Sequence, residues 1–83
     1  MAGELSENRL RWRCRRGMLE LDAWLTRFLD VRYADLSAEQ RAVFARLLDQ
    51  DDMNLFDWIT AEREPPADYS AVVEAIKTTR YPR

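Results

Sequence analysis

Apolar residues in this chain of 83 residues recur at intervals of three and four positions along almost its whole length. That spacing places them on one face of an α-helix, whereas a half-buried strand would need alternating apolar and polar residues. No segment alternates in that way, so the sequence predicts an all-α fold. At this length the chain would bury only about 60 to 65% of its unfolded surface, which allows one small domain with a single core.

Helix start and stop signals predict five helices with short connections, which favour a compact bundle of antiparallel neighbours. The first helix spans about residues 6–16, with Ser6 as its cap and Gly17 as the left-handed residue that ends it. The second helix runs from about Met18 to Arg32 and has the broadest apolar stripe. It is therefore the predicted core helix.

Capping side chains also mark the start of the next two helices. Ser37 and Gln40 have the spacing of a capping box, which predicts a third helix that ends near Gln50. Asp51 or Asp52 can cap the fourth helix through a side-chain carboxylate.

Two adjacent prolines, Pro65 and Pro66, predict the end of the fourth helix, because neither can continue a helix. The fifth helix is predicted to begin near Pro66 or Asp68, and residues 78–83 are predicted to form a frayed tail. The whole chain is thus predicted to be one helical domain, with a core of about residues 6–80.

Composition limits the chemistry that the chain can perform. It has no histidine, the commonest general base and metal ligand, and its only cysteine is Cys14. Catalysis and metal binding are therefore not expected. Two glycines cannot form a phosphate-binding loop, so we expect no stably bound flavin. The arginines around Cys14 would lower the pKa of an exposed thiol, but without a second thiol or a histidine we expect this side chain to serve packing.

The same residues bear on the compartment. A single cysteine cannot form an internal disulfide, which favours a reducing compartment. No apolar run approaches the roughly 20 residues that span a bilayer. The first eight residues contain two glutamates and no arginine, unlike a targeting peptide. We therefore expect a complete cytoplasmic protein that makes no membrane contact.

Positive charge is concentrated at the start of the chain. Residues 1–16 have a net charge of +3, and the remaining residues have −5. At helical spacing Arg9, Arg13 and Arg16 would form one ridge. Trp12 would lie between neighbouring rows, so this face could dock on an acidic partner or on phosphates, although a solvated helix face fits equally well. We predict no nucleic-acid binding, because the whole chain is acidic and lacks a reading element.

The segment from Arg16 to Glu20 joins the first two predicted helices. In its ordinary explanation, Gly17 ends one helix and Glu20 lies in the first turn of the next, where its charge meets the positive end of the helix dipole.

An Arg-Gly-x-x-Glu turn in a short, acidic, helical chain resembles the SdhE family, the flavinylation factors of succinate dehydrogenase. Trp12-Arg13-Cys14 precedes the turn as in that family. Residues 51–58 are similar to its second signature, Asp-Asp-x-x-Leu-Phe-x-Trp, although a helix cap followed by core residues explains that stretch as well. Together these matches cover most of residues 9–80.

The resemblance implies an assembly factor that binds the flavoprotein subunit of succinate dehydrogenase and promotes covalent attachment of FAD to a histidine of that subunit. The fumarate reductase flavoprotein is a second candidate client. The chain itself would have no catalytic residue and would act on the FAD of its client. An antitoxin-like or nucleic-acid-associated regulatory module is the alternative.

In this family the turn meets the flavoprotein subunit. The resemblance therefore implies polar contacts by Arg16 and Glu20 and a close backbone approach at Gly17. The implied partner-binding residues are Trp12, Arg13, Arg15, Arg16, Gly17, Glu20 and Asp22.

Overall fold

A computed structural model of the chain describes residues 7–80. Within that range the chain forms five α-helices, one short 3-10 helix and no β-strand, which confirms the predicted all-α fold. The elements are α1 (Glu7–Arg13), α2 (Leu19–Arg32), the 3-10 helix (Tyr33–Asp35), α3 (Ala38–Leu47), α4 (Asp52–Ile59) and α5 (Ala67–Thr79). None of these helices is long and apolar enough to cross a membrane.

The hydrophobic core lies around α2 and α5. Helix α2 packs on α4 and α5, and α5 also packs on α3 and α4. The rings of Phe28 on α2 and Phe44 on α3 are fully buried, with centroids 5.0 Å apart. The predicted core helix is confirmed, since its buried side chains are Leu21, Trp24, Leu25, Phe28 and Leu29.

Two predicted helix caps are confirmed. The Ser37 hydroxyl accepts a hydrogen bond of 3.1 Å from the Gln40 amide, and the Gln40 side chain accepts one of 3.0 Å from the Ser37 amide. These bonds form the capping box of α3. Asp51 caps α4 by accepting a hydrogen bond of 3.0 Å from the Asn54 amide. The predicted cap Ser6 lies outside the described residues.

The first helix ends three residues earlier than predicted. Helix α1 stops at Arg13, and the Arg15 amide still donates to a carbonyl of its last turn at 3.1 Å. The Arg16 amide donates instead to the Asp22 carboxylate at 2.5 Å. Because this bond draws the amide away from the helix, Gly17 lies within a loop rather than directly after a helix.

Helix α4 also ends before the predicted stop at Pro65–Pro66. It ends at Ile59, and Ala61 adopts a left-handed conformation with φ 67°. The Glu62 amide then donates to the Asp57 carbonyl at 2.8 Å, which is the long bond of a Schellman motif. A local hydrogen-bond pattern therefore ends the helix before the prolines can.

The ends of α3 and α5 differ from the prediction as well. Helix α3 ends at Leu47, because the amides of Asp49 and Gln50 bond to carbonyls three residues back instead of four. Helix α5 extends to Thr79, so residues 78–80 are not a frayed tail. The Thr79 side chain is buried, and its carbonyl accepts a hydrogen bond of 2.5 Å from Arg27 Nε. Residues 81–83 lie outside the described range.

Candidate partner-binding site

The Arg-Gly-x-x-Glu turn forms an exposed connection between α1 and α2. Gly17 has φ +91°, which confirms the predicted left-handed conformation. A Cβ atom built on Gly17 would meet no heavy atom within 4 Å. The need for glycine therefore comes from backbone conformation, and the space in front of this residue is open.

A carboxylate from the first turn of α2 holds the backbone of this connection. Asp22 Oδ1 accepts the Arg16 amide at 2.5 Å, and Asp22 Oδ2 lies 3.4 Å from the Gly17 amide nitrogen. The amides of Arg16 and Gly17, which follow α1, thus both donate to a side chain of the next helix. Asp22 is only partly exposed, and its oxygens are engaged inside the protein.

The Arg16 side chain points into the protein and is only 15% exposed. Its Nε donates to the Asp52 carboxylate at 2.8 Å. Its two terminal nitrogens donate to the carbonyls of Leu48 at 2.8 Å and Gln50 at 2.7 Å. One of them also donates to the Arg13 carbonyl at 3.1 Å. Arg16 therefore joins the turn to the connection between α3 and α4, and its predicted contact with a partner stays a prediction.

Arg13 makes a second link to the same end of α3. It donates to the Ala45 carbonyl at 3.2 Å and forms an ion pair with Asp49. The other three carbonyls in the last turn of α3 accept backbone amides of residues 48–50. All four carbonyls at this helix end are therefore bonded, and the two arginines complement the negative end of its dipole.

The outer surface of the turn has both charged and apolar side chains. Arg15 and Glu20 are exposed, and within residues 7–80 neither side chain forms a hydrogen bond or an ion pair. Leu19 is 87% exposed and Trp12 is 73% exposed. A shallow surface depression of about 490 Å³ adjoins the tryptophan and is lined by Asn8, Arg9, Trp12 and Arg13. These are the side chains that a partner could contact directly.

The predicted ridge of Arg9, Arg13 and Arg16 is wrong. Arg16 lies beyond the end of α1 and points inward, and Arg13 is bonded to α3. Arg11 forms an ion pair of 2.7 Å with Asp30 of α2, and this hydrogen bond raises the pKa of the guanidinium. Internal pairing therefore removes much of the cationic surface that the sequence predicts for this helix.

Cys14 lies in the core beside the turn, as the packing interpretation predicts. Its side chain is fully buried, and burial raises the pKa of the thiol from 9.0 to about 11 despite Arg11, Arg16 and Arg13 nearby. Desolvation thus outweighs three cations, and the thiol stays protonated at neutral pH. Elsewhere in the described part of the chain, no three His, Cys, Asp or Glu side chains come together as a possible metal site.

Sequence reasoning missed two features of this site. The first is the pairing of Asp52 with Arg16, because nothing local links residues that are 36 positions apart. The second is Leu19, the first residue of α2, which lies outside the buried stripe of this helix and faces solvent. A helical wheel started at this residue could have found it, because Leu19 lies on a different face from the buried Leu21 and Leu25.

Known proteins that are similar to this chain match it along most of its length. The family described as Sdh5, flavinator of succinate dehydrogenase, matches residues 8–80. A protein of Pseudomonas aeruginosa named FAD assembly factor SdhE is 43% identical over 77 residues, which are 92% of each chain. Its namesake from Coxiella burnetii is 36% identical over 74 residues, which are 88% of this chain and 90% of the relative.

A third protein with that name, from Idiomarina loihiensis, is 52% identical over 58 residues. This match covers 70% of the present chain and 64% of the relative's length. The family match spans both the turn and the α3–α4 connection that Arg16 bonds. The chain therefore belongs to the SdhE family, whose names indicate FAD assembly factors of succinate dehydrogenase.

Proposed function

We propose that this protein binds the flavoprotein subunit of succinate dehydrogenase and promotes covalent attachment of FAD to a histidine of that subunit. The flavoprotein of fumarate reductase is a second client to test. The family and the names of the relatives support the succinate dehydrogenase client. The chain has no histidine that could accept the flavin itself, which agrees with a helper role.

The observation that carries this proposal is the division of the turn into an outer and an inner side. On the inner side Arg16 and Asp22 form hydrogen bonds with the protein itself. On the outer side the Gly17 backbone has open space in front of it, next to the exposed Glu20 and Arg15. A turn that is held from behind can present its backbone and charges to another protein at little cost in conformational entropy.

A protein without catalytic groups can promote a covalent bond by ordering its client. Flavin attachment can use the client's own chemistry when the flavin ring, the acceptor histidine and nearby charges are held in a reactive geometry. In this proposal Gly17 allows a close backbone approach and Glu20 supplies a polar contact. Trp12 and Leu19 supply apolar contact area beside them.

A nucleic-acid-binding role is less well supported by the same surface. Among the arginines of the first sixteen residues, Arg11, Arg13 and Arg16 bond to groups of the protein itself. A phosphate-binding surface would need those cations in solvent.

The decisive experiment removes Glu20 and measures covalent flavin on the client. A strain that lacks this protein is complemented with the wild type or with Glu20→Ala, and in-gel flavin fluorescence of the denatured flavoprotein subunit is recorded. We expect reduced fluorescence with Glu20→Ala. The fold should persist, because a carboxylate at a helix start contributes only about 0.3 to 1 kcal/mol.

Glu39→Ala is the matched control. Glu39 is the second residue of α3, as Glu20 is the second residue of α2, and both side chains are exposed. The two substitutions remove the same charge from the same helix position. Equal fluorescence with both variants would count against the proposed role of Glu20.

A further inference from the structure

The guanidinium of Arg16 joins the end of α3, the connection that follows it and the start of α4. It bonds the carbonyl of Leu48, which follows α3, the carbonyl of Gln50 in the connection, and the carboxylate of Asp52, which begins α4. All three acceptors lie within 2.8 Å of an Arg16 nitrogen. We call this arrangement the Arg16 clamp.

The charges of the clamp suit the helix ends that it joins. The C-terminal end of α3 is the negative end of its dipole, and it faces the Arg16 cation. Asp52 lies at the positive end of α4 and faces the same cation. Because the Arg16 side chain is 15% exposed and that of Asp52 is 39% exposed, solvent screens this pair less than an open surface pair. A planar guanidinium also fixes the direction of each bond, which an ammonium group would not.

Arg16 is held at two points, by the clamp through its side chain and by Asp22 through its backbone. The Arg16 amide donates to Asp22, while the Arg16 side chain is fixed by Asp52. Gly17 follows directly, so the orientation of its peptide groups depends on both anchors. Without the clamp, the backbone of Arg16 and Gly17 would keep its hydrogen bonds to Asp22, and the nearest link to α3 would be that of Arg13.

We propose that Asp52 is a positioning residue, which acts through Arg16 to fix the orientation in which Gly17 and Glu20 meet the client. This inference rests on the proposed function. In addition to beginning a helix, the start of α4 then supports the docking turn. Arg16 supports the interface through its bonds inside the protein and does not contact the client itself.

The test compares two neighbouring aspartates at the start of α4. Asp52→Ala removes the one carboxylate of the clamp and leaves its carbonyl acceptors, whereas Asp51→Ala removes the cap of the same helix without touching Arg16. Asp52→Asn keeps an acceptor oxygen and serves as the conservative variant. Two quantities are measured, the calorimetric affinity for the flavoprotein subunit and the backbone ¹H–¹⁵N NOE of Gly17 in the free protein.

We expect Asp52→Ala to weaken binding by about tenfold, because misplacement of a positioned group costs affinity without removing a contact. The Gly17 NOE should fall in the same variant. Asp52→Asn should recover part of both quantities. Asp51→Ala should lower the melting temperature while leaving both quantities near wild type, which a purely structural role of Asp52 would not predict.

Several outcomes would overturn the inference. An unchanged Gly17 NOE in Asp52→Ala refutes positioning by Asp52 through Arg16, and lost affinity with an unchanged NOE shows that Asp52 contacts the client directly. If Asp52→Ala does not fold, the same comparison is made with Asp52→Asn, where wild-type affinity and NOE together refute positioning by the ion pair. A wild-type protein that does not bind the flavoprotein subunit refutes the proposed function, and the NOE comparison still decides on the clamp.

Discussion

The carboxylate of Asp22 accepts a hydrogen bond of 2.5 Å from the backbone amide of Arg16, six residues earlier in the chain. This bond has the direction of one half of a capping box, since a side chain within the new helix reaches back to an amide of the loop before it. It accounts for the early end of α1 and for the orientation of the turn that follows. The resemblance implies that Asp22 contacts a partner, whereas its hydrogen bonds give this residue a structural role within the protein.

The first prediction separates these two roles of Asp22. Asp22→Ala should cost about 1 kcal/mol, because two amides lose their acceptor but can bond to water. Hydrogen exchange at the Arg16 amide should become faster. Asp22→Asn keeps an acceptor oxygen and should retain most of the protection. Asp35→Ala, which removes an exposed aspartate from the 3-10 helix, is the control, and equal exchange rates in Asp22→Ala and Asp35→Ala would contradict the prediction.

Local patterns predicted the helices and several of their ends. The capping box at Ser37, the Asp51 cap and the left-handed Gly17 each depend on residues within a few positions, and each is confirmed. The inward direction of Arg16 depends on Asp52 and could not be inferred from spacing along one helix. Tertiary contacts therefore decided which arginines are available to a partner.

A second prediction concerns the end of α4, where Ala61 occupies a left-handed conformation with φ 67°. Glycine adopts this conformation without the clash between Cβ and the carbonyl oxygen. Ala61→Gly should therefore stabilise the protein by about 0.5 to 1 kcal/mol. Chemical denaturation measures the change. A destabilised Ala61→Gly protein would contradict the assigned Schellman motif, and Ala71→Gly, an exposed position within α5, should destabilise as a control.

A third prediction tests the apolar part of the docking surface. Leu19→Ser should change stability by no more than about 0.5 kcal/mol, because the side chain is 87% exposed. Its affinity for the flavoprotein subunit should fall by about tenfold through lost apolar contact. Val31→Ser removes another exposed apolar side chain from the opposite end of the same helix and should bind like wild type. Calorimetric titration of both variants checks this, and equal affinities would exclude Leu19 from the interface.

A fourth prediction follows from the buried thiol of Cys14. Its pKa is about 11 in the folded protein and close to 9.0 when burial is removed. The folded state thus holds the proton more tightly than the unfolded state, so this contribution to stability is complete below about pH 9 and is lost as the pH rises towards 11. The loss should be on the order of 1 to 3 kcal/mol.

Urea denaturation of the wild type and of Cys14→Ala across this pH range isolates the thiol from other titrating groups. Cys14→Ala should be less stable at pH about 8, because it leaves a cavity, yet its stability should depend less on pH. Parallel pH profiles for the two proteins would show that the thiol does not contribute.

The last prediction separates backbone strain from steric exclusion at Gly17. Gly17→Ala should cost about 1 kcal/mol, because φ +91° is unfavourable for any residue with a Cβ, while the open space around it adds no clash. Gly17→Arg introduces the same strain, so its stability should be similar. Its long side chain, however, should block the close approach of a client and abolish binding that Gly17→Ala only weakens. Thermal denaturation and calorimetric titration of the two variants provide the measurements. If Gly17→Arg folds and binds the flavoprotein subunit with wild-type affinity, the turn is not the docking site, and the exposed surface around Trp12 becomes the better candidate.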